Sequence, residues 1–514
     1  DIKLLSTAQI AQMSSAQIDA IETRDMVILS SAQIGAFDAN QFKDGIYDKL
    51  SLISASQVKG LTTAQLSAFT TAHVAYLDTK DISALNTAQL NSLQTQVLAA
   101  FSTAQIRSLS TAQLAGLTTT QLGAFGTDDM LALSTKQLRA LTTEQIASLG
   151  TDQLTALSTR QTAYLTTAQI AALTSTQFNK LASDDLQAMT TAQIRALNSD
   201  QLSNLGTDQL VLMQSKQIAA ISASQVGDLA ASAVAKLTTD QARAINTATL
   251  NSLSSDQLAA LETADLAVMS TAQLSQLETA QLALLSTDQL VALNTRQIST
   301  LTTAQIAALD SNQLNNLASD DLQALSTAQV AALTTDQVAT LSSSQVALMQ
   351  SRDVAAFTTA QLVVLGNDAV AAFTTSQASG LTTAQLNAFT SDQLAALETR
   401  DLAAMTTAQL SRLNTLQLSR LDTNQINGLS TRQMAALTTT QIAALTSDQL
   451  NNLGSDNLRA LSTTQIQALT TWQLSHLVTS QVALIETRDI AAFTTAQAAA
   501  LSSDGVAALT TAQA

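Results

Sequence analysis

The residues best suited to proton transfer or metal binding at neutral pH are His73 and His476. They stand far apart in the chain, outside any ligand spacing, and His73 occupies a place that elsewhere holds Gln, so it reads as a polar substitute. Three carboxylate pairs, Asp128/Asp129, Asp184/Asp185 and Asp320/Asp321, have the chemistry of calcium binding. Calcium takes six or more oxygens, which needs acids of neighbouring segments to stack, and the sequence has neither an EF-hand loop nor a Gly-Asp nonapeptide. The simpler reading is that the second Asp of each pair replaces Gln in capping, near the positive end of a helix. Phosphate loops, nucleophile elbows and HExxH are missing, as is cysteine, which removes thiol catalysis and thiolate zinc sites. Trp472, Tyr47, Tyr76 and Tyr164 are too sparse for a stacking platform. No enzymatic role and no cofactor is expected, calcium being the one ion with any argument.

The elements that must position these groups follow one frame. In steps of eight from Leu5 to Leu509 there are 64 anchor positions, and only Gly45 among them is not a large apolar residue. With the anchor as position 0, the unit continues with a cap-forming or polar residue at 1, Ser or Thr at 2 and a variable residue at 3. Gln follows at 4, Leu, Ile or Val at 5, and two mostly small residues close the unit. LTTAQIAA from Leu301 is a typical copy, and Gln fills position 4 in 47 units and Asp in nine.

A continuous α-helix fails this pattern, because eight residues advance about 800° and the apolar stripe would drift by about 80° per unit. A β-solenoid is the runner-up. It suffers because positions 0 and 5 fall on opposite strand faces, and because Gln-Leu-Ala-Ala stretches favour helix. One short helix per octad fits every position. Position 1 is then the N-cap, position 4 is N3 of a capping box, and positions 0 and 5 are the N′ and N4 residues of a hydrophobic staple. One observation leaves a second version open. Ser or Thr is stricter at position 2 than at position 1, where Glu22, Glu398 and Gln350 occur. In that version position 2 caps and Gln reaches the backbone of a neighbouring coil instead. Either way two large side chains cannot offset the ordering of eight residues, so the octads must stack into an all-α solenoid. The sequence predicts one continuous solenoid over 1–514, coiled into an elongated rod or superhelix.

A longer period lies above the octad. QFNKLASDDLQAM from Gln177 returns as QLNNLASDDLQAL from Gln313 and QLNNLGSDNLRAL from Gln449, each time seventeen octads further on. Blocks run 30–165, 166–301, 302–437 and a partial 438–514, after a partial block at 1–29. Arg24, Arg160, Arg296 and Arg432 keep this step, as do Lys80, Lys216, Arg352 and Arg488. These eight residues are the candidate assembly contacts, against the plainer reading that the period is a scar of block duplication.

The 39 acidic and 23 basic residues give a net charge of −16 with no basic run, so nucleic-acid binding is not expected. No apolar stretch is long enough to span a bilayer. The chain begins with Asp and without a signal peptide, which suggests a processed chain or a piece of a longer one. It starts four residues before an anchor and stops within an octad, so apolar end faces are expected, continued by more chain or by another copy. The TTAQIAAL style of array at 302–309 resembles octad-repeat regions of large bacterial secreted or surface proteins of the adhesin-like kind. The resemblance implies an extracellular or cell-surface setting and transfers no functional residue. The function expected is therefore structural, a subunit of a surface filament or sheath, or an adhesin stalk, with copies of itself as the partner. The alternatives are an α-solenoid scaffold holding a partner protein along one face, and an ice-binding array of Thr hydroxyls.

Overall fold

A helix-start signal every eight residues should yield a helix every eight residues, and the computed structural model has that form. It describes residues 2–513, with the side chains of residues 44, 45, 47 and 48 left outside the description; these include Tyr47 and the anchor break at Gly45. Among the described residues there are 62 α-helices and two 3-10 helices and no strand, so the β-solenoid alternative is excluded. The helix Thr303–Ala308 is representative. Thr302, in extended conformation (φ −71°, ψ 159°), is its N-cap. Gln305 is N3, and the chain leaves at Leu309, again extended (φ −64°, ψ 141°). Each octad is thus one and a half turns of helix followed by an extended pair of residues, the next anchor and the next cap. The cap is position 1. The version with the cap at position 2 is corrected, because Ser/Thr at that place is the first residue inside the helix.

The fold comprises two compact units, Asp1–Leu261 and Glu262–Ala514. Within each, a helix packs against the helix three octads further along. Thr63–Ser67 rests on Thr87–Ser92 in the first unit, and Thr375–Gly380 on Thr399–Ala404 in the second. Positions 0 and 5 fill the interior: Leu301 and Ile306, or Leu61 and Leu66, are buried like nearly every counterpart. Aliphatic side chains of one size class stack closely in this way, which explains an interior built mostly of Leu, Ile and Val.

The small residues at positions 6 and 7 mark the approach between coils. A Cβ on Gly60 would collide with the backbone of Ser31, a residue of the coil before, and one on Gly116 would press on the methyl of Thr87. Among the described residues the α-helix gives way inside the array at the break in the pattern, GIYDKLSL from Gly45, as it does at the two ends, where Ile2–Leu4 is a 3-10 helix and 511–513 form a turn. The helix Ala39–Gly45 runs on through the anchor, and Tyr47–Leu52 is a 3-10 helix without a side-chain cap.

Candidate functional site

The polar residue that recurs most often is also the one that holds the coils together. At Gln305 the Oε1 accepts the backbone N–H of Thr302 at 2.8 Å, while Thr302 Oγ1 accepts the Gln305 N–H at 3.1 Å, which completes the capping box. The other end of the same amide works between coils. Gln305 Nε2 donates to the carbonyls of Leu274 and Leu277, both at 2.7 Å, 31 and 28 residues back. Those carbonyls belong to the end of one helix and to the extended link before the next, where helices leave acceptors unpaired. The same clasp recurs at Gln65 on Ile34 and Phe37, and at Gln441 on Leu410 and Leu413. The two roles that the sequence offered as alternatives, capping partner and reach to the neighbouring coil, belong to one side chain at once. Nearly every such Gln is buried, with its amide N–H and C=O both engaged.

The composition of position 4 carries a signal that sequence reasoning passed over. A capping box accepts Glu as readily as Gln, yet no Glu stands at position 4 in any octad. A carboxylate completes the box but has no proton to give the coil behind. Three other residues that bring a donor to position 4 keep the clasp. Lys49 Nζ donates to Ile18 and Asp19, Asn457 Nδ2 to Leu429 at 2.8 Å, and Thr249 Oγ1 to Ile221 at 2.9 Å. His73 is the polar substitute expected: its Nδ1 takes the Thr70 N–H at 3.1 Å, and its ring stacks on Phe69. His476 is exposed on a neighbouring helix turn from Trp472, so the two histidines do not meet.

The Asp octads differ. In each pair the first acid, Asp128, Asp184 or Asp320, points to solvent and the second, Asp129, Asp185 or Asp321, is buried. Asp129 Oδ2 accepts the Gly126 N–H at 3.0 Å, the capping role expected of it. Among the described residues no three acidic or histidine side chains converge as a metal-ion site would require. Burial raises the carboxyls of Asp129, Asp185, Asp265, Asp353 and Asp401 above the usual range. Asp81 is pushed up to about 6, by burial first, with the neighbouring Asp78 carboxylate adding to the rise.

The eight candidate assembly contacts all occupy position 3, and all are exposed. Arg24 pairs with Glu22 at 2.8 Å, Arg488 with Glu486 at 2.9 Å, and Arg352 lies 3.5 Å from Asp353; Arg160 sits over the Tyr164 ring at 5.9 Å. Lys80, Lys216, Arg296 and Arg432 present their charge at the same octad position. The clasp bonds join residues 28 and 31 apart, so one turn of the coil takes about three and a half octads. Basic residues at position 3, Arg400 excepted, recur at twice that interval. Arg24, Lys80 and Lys136, then Arg160 and Lys216, are seven octads apart in the first unit, as are Arg296 and Arg352, and Arg432 and Arg488, in the second. Two series of exposed acids at position 3 keep the same step: Glu144, Asp200 and Asp256 in one unit, Asp336, Asp392, Asp448 and Asp504 in the other. Each series therefore returns to one side of the coil every second turn, as a row of one sign.

No curated protein matches the sequence. Among solved structures, two of APUM23, one with GGAAUUGACGG and one with GGAGUUGACGG, align at 11% and 12% identity. The alignments cover 96% of this chain and 94% and 92% of theirs, at TM-scores of 0.13 and 0.14, too low to relate either the fold or the ligand. A family model does match, in eleven segments: 92–127, 122–159, 178–215, 258–295, 289–319, 315–351, 346–383, 394–431, 421–455, 450–484 and 482–514. With more than half of its length covered by that model, and with the capped, clasped octad as its structural unit, the chain belongs to the ALTTAQ repeat family.

Proposed function

We propose that this chain is a structural solenoid of the bacterial cell exterior, part of a filament, sheath or adhesin stalk, that packs side by side with copies of itself. The observation that carries this reading is the seven-octad step shared by basic and acidic rows. Rows with equal spacing and opposite sign come into register on two copies at once, and a shift along the coil breaks every pair together. Sparse charge of this kind serves specificity more than affinity, since exposed pairs contribute only about 0.2–1 kcal/mol each. The uniform, repetitive exposed surface supports a structural role.

Electron microscopy of the purified protein, with and without Lys80, Lys216, Arg352 and Arg488 exchanged together for Glu, tests the proposal. Ordered fibres or sheets are expected from the native chain and dispersed particles from the variant, with unchanged helical circular dichroism. Dispersed native monomers, or assembly that ignores the four exchanges, would overturn it.

A further inference from the structure

Basic residues are spread thinly along this chain, and a single octad, LSTKQLRA from Leu133, holds two of them. Its helix, Thr135–Ala140, packs on Thr111–Gly116 on one side and on Thr159–Tyr164 on the other. Two hollows open along this stack. One, of about 470 Å³, lies between Arg107 and Lys136 and is bordered by Ser110, Thr111 and Ser134. The other, of about 420 Å³, lies among Thr111, Thr135, Lys136, Arg139 and Tyr164. Lys136 and Thr111 belong to both, so the two hollows form one groove across successive coils.

The donors that face the groove have bonding capacity left. Arg107 Nε donates to the Ala132 carbonyl at 3.2 Å, which fixes the side chain and leaves its two terminal nitrogens unused. Lys136 and Arg139 are exposed, and among the described residues neither makes a side-chain hydrogen bond or an ion pair. The hydroxyls of Thr111 and Thr135, at position 2, are likewise uncommitted. Tyr164 stands at position 7, where Gly60, Gly116 and Gly428 meet the coil before with little room for a Cβ. Too large for that seam, its ring stands out at the groove's edge, 50% exposed, with the Arg160 guanidinium 5.9 Å from its centroid. Of the acids on the helices packed around these residues, Asp128 and Asp184 are exposed but line neither hollow, and Asp81, Asp129 and Asp185 are buried. A chain with a net charge of −16 thus gathers four cations along one groove that no acid lines.

We propose that the groove formed by Arg107, Lys136, Arg139 and Tyr164 binds an acidic polysaccharide, a chain of uronic-acid sugars. Arginine takes a sugar carboxylate through paired N–H bonds, and lysine takes one as a point charge. The free hydroxyls of Thr111 and Thr135 match those of the sugars, and the apolar face of a pyranose ring lies against the exposed tyrosine. Two other polyanions fit less well. A single-stranded nucleic acid needs several aromatic platforms for successive bases, and this groove has one. The acid rows of a second copy return only every second turn, so they bring one carboxylate to a groove whose cations stand in adjoining coils. The site is therefore independent of the side-by-side packing proposed above.

Calorimetric titration of the full chain with hexagalacturonate near physiological salt tests this, with maltohexaose as the neutral sugar and a short single-stranded DNA as the other polyanion. Saturable binding of hexagalacturonate alone is expected. The double variant Lys136→Glu, Arg139→Glu should weaken it roughly tenfold or more, the loss of at least one charge-assisted hydrogen bond. Tyr164→Ala, which restores the small residue usual at position 7, should weaken it less, and both variants should keep the native helical circular dichroism. The chain with Lys80, Lys216, Arg352 and Arg488 exchanged for Glu should bind hexagalacturonate as the native chain does, whether or not it assembles. No binding by the native chain, groove variants that bind as well as it does, loss of binding in the fourfold variant, or maltohexaose or DNA held as tightly would overturn the proposal.

Discussion

The Gln side chain does three things at once, and its replacement separates them. In Gln305→Leu the apolar bulk remains, but the N–H of Thr302 and the carbonyls of Leu274 and Leu277 are left without this partner. Each unpaired buried group costs about 1–3 kcal/mol, so a loss of several kcal/mol is expected. Gln305→Glu keeps the capping box and loses only the donors, so it should cost less than Leu at low pH and more as the carboxyl ionises. Gln305→Asn, by analogy with Asn457, should retain the bond to Leu277 and cost least. Local exchange protection of 302–309 ranks the three, and a Glu variant that matches native protection at pH 7.5 would show that the coil-to-coil bonds are dispensable.

At the scale of the octad, the cap is the residue with the most room for improvement. Ala182 and Ala318 stand at the N-cap in extended conformation with no side-chain bond to the helix. Ala318→Ser should therefore stabilise its coil by about 1 kcal/mol, while Thr302→Ala should cost about as much, read as shifts of the denaturant midpoint. A substitution inside the helix at Thr303 should do far less. This contrast was only half legible in the sequence. The period, the helical state and the stacking were plain, because a cap, a capping partner and a staple recur in register with the anchors. Which hydroxyl caps was obscured by the stricter Ser/Thr at position 2. That strictness has another source: residues such as Thr87 and Thr399 pack their methyl groups where Gly116 and Gly428 approach, and Thr375 donates to Asp401. The clasp reaches 28 and 31 residues back, neither a multiple of eight, so no reading within the octad frame could pair its partners. The clasp and the charged rows became visible only with the turn length in hand.

For the whole chain, charge and proton uptake set conditions on when the solenoid is tight and when it associates. A carboxyl raised by burial binds its proton in the folded chain before the unfolded one, so it weakens the fold when ionised. Its contribution to stability improves as pH falls through the raised value toward 3.8. With Asp81 near 6 and five further carboxyls raised within the two units, unfolding by denaturant should need more denaturant at pH 5 than at pH 7.5, the reverse of ordinary acid lability. Association obeys a different balance. Copies carrying a net charge of −16 repel at long range, whereas opposed rows attract only at contact. The screening length is about 30 Å at 0.01 M salt, about 8 Å at 0.15 M and about 3 Å at 1 M. Repulsion thus dominates in dilute salt, row pairing prevails near physiological salt, and both fade in concentrated salt. Light scattering across this range at pH 7.5 should therefore pass through a maximum, while the variant with Lys80, Lys216, Arg352 and Arg488 exchanged for Glu stays flat. A steady rise with salt in both proteins would instead mark association through apolar side chains such as Leu131, Val363 and Trp472, which stand exposed between the rows' octads.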